Sequence, residues 1–304
     1  TTCPECGYKV PLAPSWVIGK GTKTVAILID NGTDGFNIDI VQGANKEKFK
    51  ESDKSITVRG NYMYCPHCEL KTPITSIRGD RQGENGETIS GLRLWEKDEF
   101  IPRDTDVFQE RLYCIRYVKE YTDEEGKKKT KRYYTAPTKE DLLREDKVIK
   151  LLEERFNDWQ NKGYIPSAKI EEGYNTNQPI RERGWQYWHQ LFNPRQLLIN
   201  GLFAKISSQL ADGQMEKAIG ILGLNKCCDW NSKLCIWNAG SGTEKTQNTF
   251  TTQALNTLYN YGARATNMYI NSWLMNINSC YLDIENIIET KDARNNTETC
   301  DLWI

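Results

Sequence analysis

The residues best suited to chemistry in this sequence are two matching cysteine pairs, Cys3 with Cys6 in CPEC and Cys65 with Cys68 in CPHC. A Cys-x-x-Cys turn points two thiolates at one position, and two such turns supply the four sulfur ligands that tetrahedral zinc prefers. The shared Cys-Pro start makes the second pair a repeat of the first. The sequence therefore predicts one zinc ion held by all four thiolates, with stabilisation of the fold as its effect.

These cysteines have two other interpretations, a redox pair or two unrelated thiol pairs. A thioredoxin-like redox pair is followed by a helix, and no helix-forming stretch follows either pair here. Two unrelated thiol pairs remain the alternative to a shared ion. His67 lies inside CPHC, but four thiolates already complete the coordination shell, so it is predicted to be a surface histidine.

The two pairs are separated by 58 residues, far more than the roughly 15–20 that separate the pairs of a compact zinc ribbon. A subdomain must therefore bring them together. TVAILID (24–30) and FNIDIV (36–41) are β-rich runs joined by the turn sequence NGTDG, and SITVRG (55–60) and NYMY (61–64) are further strand candidates. The pattern predicts a small antiparallel sheet closed by zinc, in which the last strand leads directly to Cys65.

Composition limits the class of protein. The chain has 304 residues, 38% hydrophobic and 27% charged, with a net charge of −1, so it has no overall basic field for nucleic acid. No apolar run approaches the roughly 20 residues that cross a bilayer, and no signal-peptide pattern is present. Four of its ten cysteines lie in the metal-type pairs, which fits a reducing compartment. A cytoplasmic protein without membrane contact is predicted.

A local basic patch lies in DEEGKKKTKRYYTAP (123–137), which follows the alternating run RLYCIRYVKEY (111–121). The acidic-glycine-basic sequence predicts a hairpin tip, with 132–135 as the return strand. With two tyrosines beside it, this patch could bind the phosphate backbone of DNA. The alternative is a hairpin whose charges are only solvated and whose aromatic side chains pack inward. The candidate DNA-binding residues here are Lys127, Lys128, Lys129, Lys131 and Arg132.

Helical patterns begin after residue 137. TKEDLLREDKVIKLLEERFNDWQ (138–160) opens with the capping-box residues Thr138 and Asp141 and predicts one long amphipathic helix. A second helix starts at Pro194 with Asn193 as its N-cap. Further helices are predicted at about 214–228 and 246–262. The fold class is thus predicted to be α+β, with a zinc-ribbon β domain at 1–136 and a helical domain at 137–304.

Three segments of this second half, in order after a split CPxC ribbon, resemble the adenine-specific DNA methylases that contain a zinc ribbon. They are WHQLFNPRQLL (188–198), DWNSKLCIW (229–237) and NTFTTQALNTLYNYG (248–262). The resemblance covers nearly the whole chain and is weakest over 78–135. It implies that this region is inserted between two halves of a methyltransferase core, which is then its partner together with DNA.

The resemblance also implies an activity: transfer of a methyl group from S-adenosylmethionine to the amino group of adenine in DNA, with a role in restriction-modification or phage defence. The family's Asp-Pro-Phe-x-Gly-x-Gly and Asp-Pro-Pro-Tyr motifs are both absent from the 304 residues. No catalytic or cofactor-binding residue can therefore be assigned. The first residue is Thr rather than Met and the zinc site begins at once, while CDLWI (300–304) resembles the strand that leads into the second motif. Both ends of the sequence are therefore expected to be cuts in a longer protein.

The helix that follows Asn193 places Arg195 and Gln196 in its first turn, where they favour an anion or a base edge. The alternative is that Arg195 pairs with an acidic neighbour. Trp230 and Trp237 flank Asn-Ser-Lys (231–233) and suit stacking on an extruded adenine, although core packing is favoured. NAGSGT (238–243) resembles a cofactor-binding glycine loop, but no long apolar strand precedes it.

Three functional hypotheses follow. The first is the structural and DNA-recognition part of a DNA adenine methyltransferase. The second is a non-catalytic zinc-ribbon module that binds DNA or protein. The third, a redox or metal sensor, is disfavoured because a four-thiolate zinc site is closed.

Overall fold

The fold was obtained as a computed structural model that describes residues 1–32, 35–242, 244–251 and 253–264. Within these residues the chain is α+β, as predicted. The strands are β1 (Val17–Gly19), β2 (Thr24–Asp30), β3 (Phe36–Val41), β4 (Val58–Arg59), β5 (Tyr62–Tyr64), β6 (Lys71–Pro73), β7 (Arg81–Gln82), β8 (Thr88–Ile89), β9 (Ile115–Thr122), β10 (Lys128–Thr135), β11 (Trp237–Asn238) and β12 (Lys245–Thr246). The α-helices are α1 (Lys46–Lys54), α2 (Ile74–Arg78), α3 (Lys139–Glu153), α4 (Phe156–Asn161), α5 (Asn177–Arg183), α6 (Pro194–Leu210) and α7 (Gln214–Asp229), with 3₁₀ turns at Trp188–Leu191 and Thr249–Thr251.

The strands form small antiparallel sheets. β1, β2 and β3 form one sheet in sequence order, and β4, β5 and β6 form another. The predicted strands 24–30 and 36–41 are confirmed with their boundaries as β2 and β3. The prediction that 55–64 extends their sheet is wrong, because α1 intervenes and β5 pairs with β6 to form the hairpin that carries the second cysteine pair.

The basic hairpin is confirmed as β9 and β10, which pair in continuous register from Ile115 opposite Thr135 to Thr122 opposite Lys128. Its turn is closed by Asp123, whose side chain accepts hydrogen bonds from the backbone N–H groups of Glu125 and Lys127. The return strand is longer than predicted, because pairing begins directly after this turn.

The predicted helix over 138–160 is two helices. Its capping box is confirmed, since the Thr138 hydroxyl accepts from Asp141 N–H while the Asp141 carboxylate accepts from Thr138 N–H. The helix is interrupted after Glu153 and resumes at Phe156 as α4. This break places the aromatic rings of α4 in a core with Phe100 and Leu152, which explains why one continuous helix is not formed.

The helices at 194 and 214 are confirmed as α6 and α7, and Asn193 caps α6 with Pro194 in its first turn. The prediction of a helix at 246–262 is wrong over the described part of that segment. Its first residues are in β12 and a short 3₁₀ turn, and the rest of its described residues are not helical. The segment is rich in threonine and asparagine, whose side chains compete for backbone hydrogen bonds. Thr251, for example, donates to the carbonyl of Asn248.

Contacts cross the predicted boundary at residue 136 in both directions. The Trp95 N–H donates to the carbonyl of Gly184 at 2.8 Å, and the Trp95 and Trp185 rings meet edge to face. The Trp237 indole N–H donates to the carbonyl of Ile18 at 2.7 Å. Helices and strands therefore occur on both sides of the predicted boundary, with α1 and α2 before it and β11 and β12 after it. The predicted order of a β domain followed by a helical domain is not confirmed.

None of the helices in the described ranges combines the length and apolar character needed to cross a membrane. The predicted strand at 300–304 lies outside the described residues.

Candidate metal centre and nucleic-acid interface

The first cysteine pair lies on a tight turn at the N-terminus. The Cys3 N–H donates to the carbonyl of Tyr8 at 2.8 Å, and the Gly7 N–H donates to the carbonyl of Cys3 at 2.9 Å. Gly7 has a φ of 74°, a left-handed conformation that glycine adopts without steric cost. The turn is closed by these two hydrogen bonds, which orient both thiols to the same side.

The second pair repeats this turn between β5 and β6. The Cys65 N–H donates to the carbonyl of Leu70 at 3.0 Å, and the Glu69 N–H donates to the carbonyl of Cys65 at 3.1 Å. β5 ends at Tyr64, so a strand leads directly to Cys65 as the sequence predicts. The repeated hydrogen bonds show that the two pairs are the same local structure.

The two turns face each other and bring the four predicted ligands together. The Sγ atoms of Cys3 and Cys68 lie 3.9 Å apart, and those of Cys6 and Cys65 lie 3.7 Å apart. All four sulfurs lie within 4.8 Å of one another. A zinc ion bound tetrahedrally at a Zn–S distance of about 2.3 Å would require sulfur separations of about 3.8 Å. The group could therefore hold a metal ion.

The protonation of these thiols depends on such an ion. Burial raises the pKa of Cys65 to about 12 and raises that of Cys3, whereas the backbone N–H of Leu70 lowers the pKa of Cys68. Buried thiols with a raised pKa stay protonated at neutral pH unless a cation binds. A metal ion would displace these protons on binding, which couples its affinity to pH.

Tyr8 connects the first turn to the β2–β3 hairpin. Its hydroxyl donates to the carbonyl of Gly35 at 2.6 Å and to the Asp30 carboxylate at 3.1 Å. Its ring stacks on His67, with centroids 5.0 Å apart. His67 is exposed and outside the sulfur cluster, as predicted.

A small apolar core supports the cluster. Cys3 and Cys65 pack in it with other buried side chains, and partly buried hydrophobic residues pack around them. The buried members are Cys3, Tyr8, Val10, Met63, Cys65 and Ile74. Assembly of the sulfurs is therefore coupled to burial of this core.

The predicted DNA-binding residues of the hairpin differ in their partners. Lys127 pairs with Glu125 at 2.9 Å, and Lys129 pairs with Asp123 at 2.7 Å, both near the tip. Lys128, Lys131 and Arg132 are exposed and have no ion-pair partner in the part of the chain that the structure describes. Local acidic residues thus neutralise some of the patch.

Arg195 forms an ion pair with Glu145 of α3, which agrees with the alternative weighed from its sequence. Burial lowers the pKa of Arg195. The negative charge of Asp141 raises this pKa, and the positive charge of Arg144 lowers it. The Tyr117 hydroxyl of the hairpin donates to the carboxylate of Asp141, which lies four residues before Glu145 on α3. Arg195 is therefore close to the base of the basic hairpin, although the two are far apart in sequence.

Gln196 is buried and is fully used within the fold. Its Oε1 accepts from the Asn193 N–H at 2.9 Å, and its Nε2 donates to Asn231 Oδ1 at 2.9 Å. The Lys233 N–H donates to the carbonyl of Leu191 at 2.8 Å. The segments 188–198 and 229–237 are thus hydrogen-bonded to each other, and a base contact by Gln196 would require these bonds to open.

The two candidate stacking tryptophans have other neighbours. The guanidinium of Arg264 lies 4.4 Å from the ring centroid of Trp230, and that of Arg116 lies 5.4 Å from that of Trp237. The Trp237 ring also meets Tyr134 edge to face. These contacts favour the packing interpretation.

NAGSGT does not have the surroundings of a cofactor loop. It connects β11 to β12, which pair with each other as a short hairpin, and it opens no helix. The neighbouring Glu244 is buried, and its carboxylate accepts hydrogen bonds from Thr22 and Tyr134. This segment joins the first sheet to the basic hairpin.

Sequence reasoning missed two buried polar side chains. His189 is fully buried, with Nε2 3.0 Å from the carbonyl of Glu99. Lys233 is 1% exposed, and its ammonium lies 2.9 Å from Glu110 and 3.9 Å from the ring centroid of Trp185. A lysine directly before the apolar run LCIW (234–237) was the available signal, but its partner lies 123 positions away.

The other cysteines among the described residues are outside the sulfur cluster. Cys227 and Cys235 are buried, and Cys114 and Cys228 are partly buried. Cys280 and Cys300 lie beyond the described residues.

Comparison with family models, with curated proteins and with solved structures finds no match for this chain. The residues themselves therefore carry the functional conclusion.

Proposed function

We propose that this chain is the zinc-stabilised, DNA-contacting region of an adenine-specific DNA methyltransferase. The observation that carries the proposal is the basic β9–β10 hairpin, whose exposed cations and tyrosines project beside a fold closed by the four-sulfur cluster.

Zinc is the metal that best fits the cluster. Four sulfur ligands suit zinc or an iron–sulfur centre, and two Cys-x-x-Cys turns closing on one position are typical of structural zinc. Four thiolates leave no open coordination position, so the ion supplies stability and no catalytic water.

DNA contact is supported by the position of the charges. The chain as a whole has a net charge of −1, so binding must depend on a local surface. Lys128, Lys131 and Arg132 are exposed cations without an ion-pair partner among the described residues, and Arg195, which is paired with Glu145, lies near the hairpin base. Cations of this kind bind phosphates and give a salt-dependent affinity.

Membership of the methyltransferase is supported by the three family-like segments. In this proposal S-adenosylmethionine and the adenine amino group bind to the rest of the methyltransferase core, and the present region positions DNA. A cytoplasmic role in restriction-modification or phage defence follows from the same resemblance.

A second candidate is a non-catalytic zinc-ribbon module that binds DNA or protein. Its support is the exposed basic hairpin and the four-cysteine group that could hold a structural metal, neither of which requires a methyltransferase core. It differs from the first proposal in requiring no methylated adenine in the cell.

Gene disruption distinguishes the methyltransferase proposal from the non-catalytic binding module. If the methyltransferase proposal is correct, disrupting the gene that encodes this chain removes N6-methyladenine from one DNA sequence motif, as measured by long-read sequencing, and restoring the gene brings it back. Unchanged methylation would contradict the enzyme proposal and leave the binding module.

DNA contact is measured directly by titrating the purified chain with labelled duplex DNA at several salt concentrations. We expect the logarithm of the affinity to fall linearly with the logarithm of the salt concentration. No binding at low salt would contradict DNA contact in both candidates.

A further inference from the structure

The strand pairing divides the basic hairpin into two faces. Residues directly opposite each other in antiparallel strands share a face, as do residues two apart along each strand. Beyond the basal pair Ile115 with Thr135, one face therefore carries three cross-strand pairs, which are Tyr117 with Tyr133, Lys119 with Lys131, and Tyr121 with Lys129. We call this the tyrosine–lysine face.

The opposite face anchors the hairpin at its base. Tyr134 is buried there and donates its hydroxyl to the buried carboxylate of Glu244 at 2.7 Å. Arg116, opposite Tyr134, donates to the backbone carbonyl of Glu244. Farther along, this face carries Arg132 and Lys128, both exposed. The contiguous basic run of the sequence is thus divided between two sides of the hairpin.

The tyrosine–lysine face has a repulsive charge pair at its centre. Lys119 lies directly opposite Lys131, and like charges in this position destabilise a strand pair. Neither lysine has an acidic partner among the residues that the structure describes, whereas Lys129 on the same face is paired with Asp123. An anion bound between the two lysines would relieve their repulsion.

Aromatic rings flank this charge pair. Tyr121 is 44% exposed and Tyr133 is 39% exposed. Tyr133 stacks on Tyr117 with ring centroids 5.3 Å apart, and the Tyr117 hydroxyl is held by the Asp141 carboxylate at 3.1 Å. Tyr121 and Tyr133 lie four residue positions apart along the ribbon, about 13 Å at the rise of a strand. The face therefore alternates exposed ring, cation pair and exposed ring.

We propose that the tyrosine–lysine face binds an unpaired DNA strand, with a phosphate between Lys119 and Lys131 and bases stacked on Tyr121 and Tyr133. Cations that track the backbone and aromatic side chains that stack on successive bases are the two features of single-strand binding. Bases of an intact duplex are stacked on each other and do not offer their faces to a protein ring. The inference rests on the proposed DNA contact by this hairpin and specifies its form.

The test is fluorescence anisotropy of the full chain with a labelled 12-nucleotide strand, with the duplex of the same sequence, and with an abasic strand of the same length. We expect the single strand to bind about tenfold more tightly than either of the others, since stacking is lost in both.

A matched pair of variants separates the two faces. Lys119→Ala with Lys131→Ala and Lys128→Ala with Arg132→Ala each remove two positive charges from one hairpin. The first variant should weaken single-strand binding about tenfold, more than it weakens duplex binding, and reduce the single-strand salt slope by about 0.7, the value for one phosphate on a single strand. The second should weaken single-strand and duplex binding by similar factors, so that the preference for the single strand is kept. Tyr121→Leu with Tyr133→Leu should remove the preference for the base-containing strand over the abasic one.

Each outcome has a definite meaning once zinc content and circular dichroism show that the variants are folded. An equal loss of the single-strand preference in both double variants, equal binding of the abasic strand, or tighter binding of the duplex would overturn the single-strand inference while leaving DNA contact in place. Failure to bind either single-stranded or duplex DNA at low salt would overturn the inference and the proposed DNA contact together.

Discussion

Glu69 occupies in the second cysteine turn the left-handed backbone position that Gly7 occupies in the first, with φ of 60° and 74° respectively. Each residue donates its N–H to the carbonyl of the leading cysteine of its pair. A left-handed conformation costs roughly 1–2 kcal/mol for a residue with a Cβ, and glycine is exempt. The second turn therefore carries a conformational strain that the first does not.

Replacing Glu69 with glycine should stabilise the protein. Relief of the left-handed strain exceeds the added flexibility of the unfolded chain, so we expect a gain of about 0.5–1 kcal/mol in the free energy of unfolding. Chemical denaturation of the zinc-loaded protein measures it. Gly7→Ala is the matched control. A Cβ at Gly7 meets nothing within 4 Å, so its expected loss of about 1 kcal/mol is purely conformational. If Glu69→Gly destabilised the protein, the left-handed conformation of Glu69 would not be a source of strain.

Removal of the metal should unfold the cysteine turns before the helices. Cys3 and Cys65 belong to the core that the turns close, so loss of the ion exposes that core, since metal binding and folding are one equilibrium in such sites. Hydrogen exchange after chelation should show lost protection at 1–12 and 62–74 and retained protection in α6.

Metal analysis provides the controls for this prediction. The protein should contain one zinc per chain, Cys65→Ser should abolish it, and Cys114→Ser, which changes a thiol outside the cluster, should retain it. Unchanged protection in the chelated protein would show that the ion has no structural role.

His189 should make the protein less stable in mild acid. Burial lowers its pKa from 6.5 to about 4. This effect exceeds the opposite effect of two backbone carbonyls, that of Pro166 at 3.1 Å from Nδ1 and that of Glu99 at 3.0 Å from Nε2. Because the unfolded chain binds the proton more readily, stability is complete above pH 6.5 and is lost as the pH falls towards 4. The loss reaches about 3 kcal/mol by linkage.

The measurement is the free energy of unfolding between pH 7.5 and 4.5 for the wild-type protein and for His189→Gln. The chain has two histidines, and the other, His67, is exposed. The difference between the wild-type and variant curves therefore isolates the contribution of His189. The variant curve should be flatter from pH 6.5 to 5. Parallel curves would show that His189 does not carry the effect.

Features that depend on neighbouring residues were predictable from sequence. The cysteine turns, the hairpin tip closed by Asp123 and the capping residues Thr138 and Asn193 all use partners within a few positions. Their hydrogen bonds form whatever the rest of the chain does, so the local pattern identifies them.

Features that depend on distant partners were not predictable. His189 is held by the carbonyl of Glu99, and Gln196 by Asn231. Nothing in the sequence around either residue identifies its partner. The pairing of β5 with β6, which separates the second cysteine turn from the first sheet, likewise depends on how the two turns meet. The four metal ligands could be predicted because they are identified by the spacing within each pair and by the repetition of the pair. Neither feature depends on how the chain between the two pairs folds.

Removal of Glu110 should destabilise the protein more than removal of its partner, Lys233. The Lys233 side chain is 1% exposed and the Glu110 side chain is 32% exposed. Glu110→Gln leaves an ammonium ion buried beside Trp185 without a counter-charge, which costs about 3–5 kcal/mol when a buried pair is broken in this way. Lys233→Met leaves a carboxylate that water still reaches and that Tyr261 still contacts at 2.9 Å. We expect Lys233→Met to cost less than Glu110→Gln by at least about 1 kcal/mol.

Urea denaturation at pH 7.5 measures both variants, and Asp158→Asn provides the comparison for an exposed pair. Asp158 and Lys162 are each 56% exposed, so breaking their ion pair should cost less than about 1 kcal/mol. If Lys233→Met were the more damaging change, the dominant contribution would be the packing of the lysine chain against Trp185 and Trp95. The order of the two free energies therefore distinguishes an electrostatic role of this buried lysine from a steric one.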